Sequence, residues 1–340
     1  EALGVGPGDE VIVPGLTWQA TASAVLDVNA VPILVDVDPN TYTISPKEIE
    51  AAITPRTKCI IPVHLYGRVA DMNAIMELAE KYNLYVIEDC AHQHGSQWKG
   101  KPVGSIGDIG SFSFQSSKII TSGEGGILTT NNQQISDLLQ SLKICGRNIR
   151  KGAPAMHSGN YRMTEFQAAI LIVQLMRLDE QNIIRDKNAM YLEEMISDIE
   201  GLSSLYRSPD ISRQSYYYLT IKYNKEEWDG VPKEVFMRAL SLELNNSVIC
   251  SQIYEPLNAS PFYKPLNKKT HKLNKEYQDS IDPRRFDLPV CKRAFEDEAI
   301  NFYHTTLLAD RVDMDKLIYA MYKLRNNIGE LVKYHKYCRK

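Results

Sequence analysis

The sequence carries little that would mark a secreted, membrane-bound or nucleic-acid-binding protein. Its six cysteines (Cys59, Cys90, Cys145, Cys250, Cys291 and Cys338) are scattered, with no CxxC pair and no metal-ligand spacing. That pattern argues against a disulfide framework or a zinc site and points to a reduced, cytoplasmic setting. Charge of one sign is also lacking: 39 basic residues face 42 acidic ones, a formal net charge of −3. Nothing in that balance suggests a partner among nucleic acids or anionic membranes. No apolar run approaches the roughly 20 residues needed to cross a bilayer, and no internal repeat or low-complexity tract stands out. The first residue is Glu1 rather than methionine, and EALGVGPGDE reads as a helix end followed by a turn. The chain is therefore expected to begin inside a domain, which makes the lack of a targeting signal weak evidence.

What is present is ordinary globular composition over 340 residues, 44% apolar and 24% charged. That is enough chain for two domains, each with its own core. Short apolar runs alternate with helical patterns in the first half. Strands are predicted at 11–13, 33–37, 59–63 and 84–87, with a helix capped by Thr17, another starting at Pro46 behind the capping box Ser45-Pro46-Lys47-Glu48, and a third at 71–82. Alternating strands and helices joined by short Gly/Pro turns indicate a doubly wound, mostly parallel α/β sheet, in which ligands sit at the carboxyl ends of strands. Glu88 and Asp89 fall at one such end. Thr164 and Gln167 form a capping box for a long helix, with a break expected near Asn182. From about residue 201 the texture changes to a smaller α+β unit: strands at 216–221 and 246–254, and helices at 233–242, 296–300 and 313–334. A polar surface excursion is expected over 267–282. The expected division is 1–163 for the large α/β domain, 164–200 for the linking helix and 201–340 for the small domain.

The chain is organised around residues 110–126, GSFSFQSSKIITSGEGG. Ser111-Phe112-Ser113-Phe114 alternates like a half-buried strand, and Gly123, Gly125 and Gly126 allow a tight turn and close backbone approach. Between them sits Lys118, with Ser113, Ser116 and Ser117 nearby. An amine on a flexible stem beside hydroxyls and a glycine turn suits a Schiff-base site for a phosphorylated aldehyde cofactor. Such a cofactor, pyridoxal 5′-phosphate, needs four things: a lysine, a carboxylate to keep the pyridine nitrogen protonated, a flat partner for the ring, and donors for the phosphate. Asp89 suits the carboxylate role, as it also suits capping the next helix. Trp18 follows a strand end and would serve as a stacking partner or as core. His92 and His94 follow Asp89, and either would reach the ring hydroxyl or serve the structure.

These residues resemble the DegT/DnrJ/EryC1/StrS family of sugar aminotransferases. The resemblance rests on GVGPGDEVIVPGLTW (4–18), VDVDPNTYTI (35–44), PVHLYG (62–67), EDCAHQHGS (88–96), GDIGSFSFQSSKIITSGEGG (107–126) and GNYRMTEFQAAIL (159–171), in that order. After residue 201 it is looser, through FYHTTLLAD (302–310). The resemblance implies the fold-type I aspartate aminotransferase architecture and pyridoxal phosphate as cofactor. It implies that Lys118 bonds the cofactor's aldehyde carbon and carries the proton, that Asp89 pairs with the pyridine nitrogen, and that Trp18 stacks on the ring. It places His92 near the ring hydroxyl, Ser113 at the phosphate, and Asn160 at the phosphate of the neighbouring subunit of a homodimer. The small-residue phosphate loop of the family would lie upstream of Glu1. Arg147 and His304 are the candidates for substrate contact. Because Lys118 is a lysine and not the histidine of the deoxygenating branch, transamination is expected. The wording is similar to the glutamine:scyllo-inosose aminotransferases of aminocyclitol antibiotic pathways, with L-glutamine or L-glutamate as donor and a cyclic polyol or keto-sugar ketone as acceptor. It is also similar to the 3-amino-5-hydroxybenzoate synthases, which implies an alternative dehydration and aromatisation chemistry. A cofactor-binding sensor would need an output domain such as a helix-turn-helix, and no such stretch is visible.

Overall fold

The computed structural model describes residues 1–148, 150, 152–246, 248 and 250–338. A six-stranded sheet carries the first part of the chain. Its spatial order is Val31–Val35, Glu10–Pro14, Thr57–Ile60, Tyr85–Asp89, Ile109–Ser113 and Gly126–Thr129. Every neighbouring pair is parallel except the last, in which Gly126–Thr129 runs back against Ile109–Ser113. Parallel strands need crossovers, and helices Ala20–Asp27, Pro46–Ala52 and Met72–Tyr82 supply them. The first two strands of the chain are buried at every position, as expected for a sheet covered on both faces.

Local chemistry sets the element ends. Asp71 accepts a hydrogen bond from Ala74 N at 3.1 Å to start Met72–Tyr82, and Asn83 closes it in the left-handed conformation (φ 54°). Thr17, in contrast, does not cap the first helix. Its hydroxyl lies 3.0 Å from that of Thr21, and the helix begins behind Gln19 without a side-chain cap. The Thr164–Gln167 capping box is present, and the helix behind it runs unbroken from Glu165 to Ile196. No break occurs at Asn182, because its amide donates to His94 O at 2.9 Å instead of competing with the helix backbone.

Two main apolar cores flank this long helix. One surrounds the six-stranded sheet; the other lies under a four-stranded antiparallel sheet ordered Cys250–Ser251, Ala299–Tyr303, Tyr218–Tyr223 and Leu202–Ser204. Ile253, Leu257, Tyr263, Tyr277, Leu288 and Cys291 return to the first core. The polar 267–282 stretch is thus anchored: Tyr277 donates to Ala30 O at 3.3 Å and helix Lys275–Ser280 forms within it. Three predicted elements differ. The helix expected at 296–300 is a π-turn, Ala294–Glu298, followed by the strand Ala299–Tyr303. The buried Lys233 ammonium donates to Ala294 O, Phe295 O and Ala299 O and pins that turn. Of the strand expected over 246–254, only Cys250–Ser251 pairs, while Ser247 and Ile249 lie outside the described residues. The helix expected over 313–334 is two helices, Arg311–Asn326 and Ile328–Cys338, separated at Asn327.

Candidate active site

Asp89 is the last residue of Tyr85–Asp89, and Ser113 the last of Ile109–Ser113. The two strands are parallel with Asp89 opposite Ser111, so both side chains emerge at the carboxyl end of the sheet. Beneath Asp89, Glu88 is fully buried and its carboxylate accepts four hydrogen bonds. His64 Nε2 (3.1 Å) and Gly104 N (2.9 Å) donate to one oxygen, Ile106 N and Gly107 N (both 2.8 Å) to the other. His64 Nδ1 accepts from Ala70 N at 3.2 Å, which fixes the proton on Nε2. His64, Glu88 and Cys90 offer ligand-type atoms within 4.8 Å of one another. With the carboxylate and both ring nitrogens already engaged, the cluster is a hydrogen-bonded brace for the strand end. Packing is equally tight there, since a Cβ on Gly110, opposite Glu88, would meet Gly104 Cα at 2.3 Å.

The Asp89 carboxylate accepts from Thr21 Oγ1 at 2.9 Å and Ala91 N at 3.2 Å. Among the described residues it has no cation in ion-pairing distance. Lys118 lies in the turn after Ser113, with its N–H bonded to Gln115 O at 3.0 Å. Burial pushes its amine down to about 8, while the Asp89 charge pulls the other way. An aromatic wall joins the remaining residues. Lys118 Nζ lies 4.2 Å from the ring centroid of Tyr217; that ring is 4.3 Å from His92; His92 Nε2 is 3.1 Å from the Tyr254 hydroxyl; and Tyr254 packs 5.5 Å from Trp18. Burial, with Lys118 and His94 beside it, holds His92 well below the usual histidine range. His94 Nε2 donates to Ser113 O at 2.8 Å, and burial takes His94 down to about 4. His304 Nε2 donates to Ser117 O at 3.2 Å, and burial takes it also to about 4.

The structure thus gathers Trp18, Asp89, His92, Ser113, Lys118 and His304 around one strand end. Asn160 and Arg147 are elsewhere on this chain. Both are exposed in the segment following helix Gln133–Lys143, where Asn160 bridges Ile144. Neither has a hydrogen bond or ion pair to Lys118, Asp89 or His92 among the described residues. Thr21, Tyr217, Tyr254 and Tyr303 were not singled out from the sequence. The run Tyr216-Tyr217-Tyr218 was visible, but a strand pattern alone says nothing of which ring faces a site.

The comparisons with known proteins decide the family. The model of the DegT/DnrJ/EryC1/StrS aminotransferase family matches residues 1–304. The chain belongs to that family. It is 41% identical to an L-glutamine:2-deoxy-scyllo-inosose aminotransferase of Streptoalloteichus tenebrarius, over 97% of this chain and 80% of that protein. It is likewise 41% identical to an L-glutamine:scyllo-inosose aminotransferase of Streptomyces griseus, with the same coverage. Among solved structures, 3-amino-5-hydroxybenzoic acid synthase superposes with a TM-score of 0.80 at 29% identity, over 95% of this chain and 81% of that one. An aminotransferase from Psychrobacter cryohalolentis gives 0.80 at 32% identity, over 96% and 84%. The chain is a pyridoxal-phosphate-dependent aminotransferase with the fold expected from its sequence. The residues present fit such a cofactor. Buried Nδ1 atoms of His92, His94 and His304 have no partner, the Asp89 carboxylate lacks a counter-ion, and the Lys118 amine has no hydrogen bond among the described residues. Among the described residues, no helix is long and apolar enough to cross a membrane.

Proposed function

We propose that this enzyme transfers the amino group of L-glutamine, or L-glutamate, to the ketone of a cyclic polyol of the scyllo-inosose type, in the cytoplasm and in the service of aminocyclitol synthesis. The observation that carries this reading is a Lys118 amine lowered to about 8 by burial, with the Asp89 charge acting on it, in a chain 41% identical to two enzymes named for that reaction. When bound, pyridoxal phosphate supplies an electron sink for the carbanion formed at the amine carbon. The chain's own residues do the rest. Lys118 Nζ takes a proton from one carbon and returns it to another, which requires a neutral amine; at about 8 the neutral fraction near pH 7 is about a tenth, against less than a thousandth at 10.5. Asp89 holds the ring-nitrogen proton, with Thr21 orienting the carboxylate. Trp18 would pack on the ring, His92 would face the ring hydroxyl, and Ser113 would donate to the phosphate. His304 would contact substrate here, whereas Arg147, exposed away from this site on its own chain, would do so only from the neighbouring subunit.

The working unit in this reading is a homodimer in which Asn160 reaches the neighbouring site. Two features support it. The first half of the long helix exposes Phe166, Ile170, Val173 and Met176 at helical spacing, and the edge strand Gly126–Thr129 exposes Ile127 and Leu128. A second copy laid on that apolar surface would cover it and bring the segment bearing Asn160 with it.

The reading is tested by loading the protein with cofactor, adding amino donors singly, and following the visible absorbance. Bleaching by L-glutamine and recovery on adding a polyhydroxylated cyclohexanone is expected; no response to any donor contradicts it. A second reading, dehydration and aromatisation of an amino-cyclohexene acid, has in its favour the 0.80 superposition on 3-amino-5-hydroxybenzoic acid synthase. It would give an aromatic product without consuming a donor.

A further inference from the structure

One buried ring in this site has no role in the reading above. Tyr217 is 5% exposed and directly precedes the strand Tyr218–Tyr223. The Lys118 amine sits 4.2 Å from its centroid, and among the described residues Nζ makes no hydrogen bond and no ion pair. The tyrosine is fixed at both ends. Ser117 Oγ donates to Gln115 Oε1 at 2.6 Å, so its lone pair accepts from the Tyr217 hydroxyl at 2.7 Å. At the other end, Tyr217 O accepts from His304 N at 3.2 Å. His92 at 4.3 Å and Tyr303 at 5.8 Å pack on the same ring.

We propose that Tyr217 is the seat of the free Lys118 amine, a positioning residue whose ring holds that amine during the part of each cycle in which it is not bonded to the cofactor. The proposal rests on the aminotransferase reading of Lys118. A lysine that alternates between a covalent bond and proton transfer spends time as a free amine on four rotatable carbons, and an unheld amine would swing away from the carbon it must serve. A carboxylate in that place would hold the amine charged. A ring attracts the ammonium through its quadrupole but accepts no strong hydrogen bond, so the neutral amine leaves readily. The other groups facing Nζ are Asp89 at the strand end and His92 and His94 from the turn behind it; Tyr218, Tyr303 and His304 border the ring from the four-stranded sheet. Of these, Asp89 is the group whose charge acts on the amine, while burial keeps the three histidines well below their usual range.

The test uses the cofactor-free full chain. Wild type, Tyr217→Phe, and a protein with pentafluorophenylalanine at position 217 are pulsed with trace acetic anhydride across about pH 6 to 11, and acetylation of the peptide containing Lys118 is measured by mass spectrometry. The fluorinated ring keeps the shape but reverses the quadrupole. Wild type and Phe should share one Lys118 midpoint, and the fluorinated ring should lower it by about one unit. The buried Lys233 peptide in the same digest should not move, which separates a ring effect from a change of fold. Coincident midpoints in all three proteins, or a Phe midpoint displaced as far as the fluorinated one, would overturn the proposal. Because no cofactor is present, that failure is distinct from failure of Lys118 to bond the cofactor.

Discussion

Replacing Glu88 by glutamine should weaken the enzyme more than any surface acid does, although the change is a single atom. Each carboxylate oxygen accepts two donors: His64 Nε2–H and Gly104 N–H on one, Ile106 N–H and Gly107 N–H on the other. An amide offers one oxygen and one NH2, so in either orientation its NH2 faces two donors. His64 cannot switch to become an acceptor, because Ala70 N–H occupies its Nδ1. Two buried donors are therefore orphaned, at about 1–3 kcal/mol each, or about 3 kcal/mol together. At about 2 °C per kcal/mol for a chain of this size, the midpoint of thermal unfolding should fall by about 6 °C. The pH dependence has a definite sign. Burial works to raise the Glu88 pKa, but His64, Gly104 and Gly107 outweigh it and the net is a lowered value. A lowered carboxylate contributes stability above its unfolded pKa, near 4.5, and loses it as pH falls through the folded one. The gap between wild type and Glu88→Gln should therefore be full near neutrality and narrow on acidification. Scanning fluorimetry of both proteins beside Glu180→Gln, an exposed control, measures it. A Glu88→Gln midpoint within about 1 °C of the control, or a gap that widens with acid, would refute the argument.

Three further outcomes follow from the same geometry. Gly110→Ala should destabilise by about 1–3 kcal/mol in chemical denaturation, since its methyl meets backbone at Gly104 that cannot rotate away. Lys118→Met should stabilise the cofactor-free protein by about 2 kcal/mol near neutrality. A lysine lowered to about 8 by burial opposes folding below that pH, and the opposition fades as pH rises from 8 towards 10.5, so the gain should vanish in alkali. Inactive Lys118→Ala and Asn160→Ala proteins, refolded together, should regain about a quarter of wild-type turnover, because half of the dimers are mixed and each has one intact site. No regain would remove Asn160 from the neighbouring site.

The parallel sheet was legible because its strands are short runs of Val, Ile and Leu between glycine and proline turns; Asp89 stands out with Glu88 at a strand end, and Lys118 as the one charged residue between Asp108 and Glu124. Capping chemistry placed the starts of the helices behind Ser45 and Thr164 to within a residue. The aromatic wall was not legible. Tyr217 and Tyr254 are 37 residues apart in sequence, and His92 touches both only because the four-stranded sheet docks on the strand end. The π-turn at Ala294–Glu298 escaped for a related reason. AFEDE has helical composition, and what ends it is a buried lysine 61 residues earlier in the chain, whose ammonium bonds Ala294 O. Likewise the polar 267–282 stretch resembles a surface loop, yet one tyrosine, Tyr277, ties it to the first core. Local pattern specifies elements; contacts between distant segments specify the site.

The central claim is that the Lys118 amine bonds the cofactor's aldehyde carbon. Reduction of the cofactor-loaded protein with borohydride, digestion and mass mapping tests it directly. A phosphopyridoxyl adduct confined to the peptide containing Lys118, and lost in Lys118→Ala, is the predicted result. An adduct on another lysine with residue 118 unmodified would contradict it.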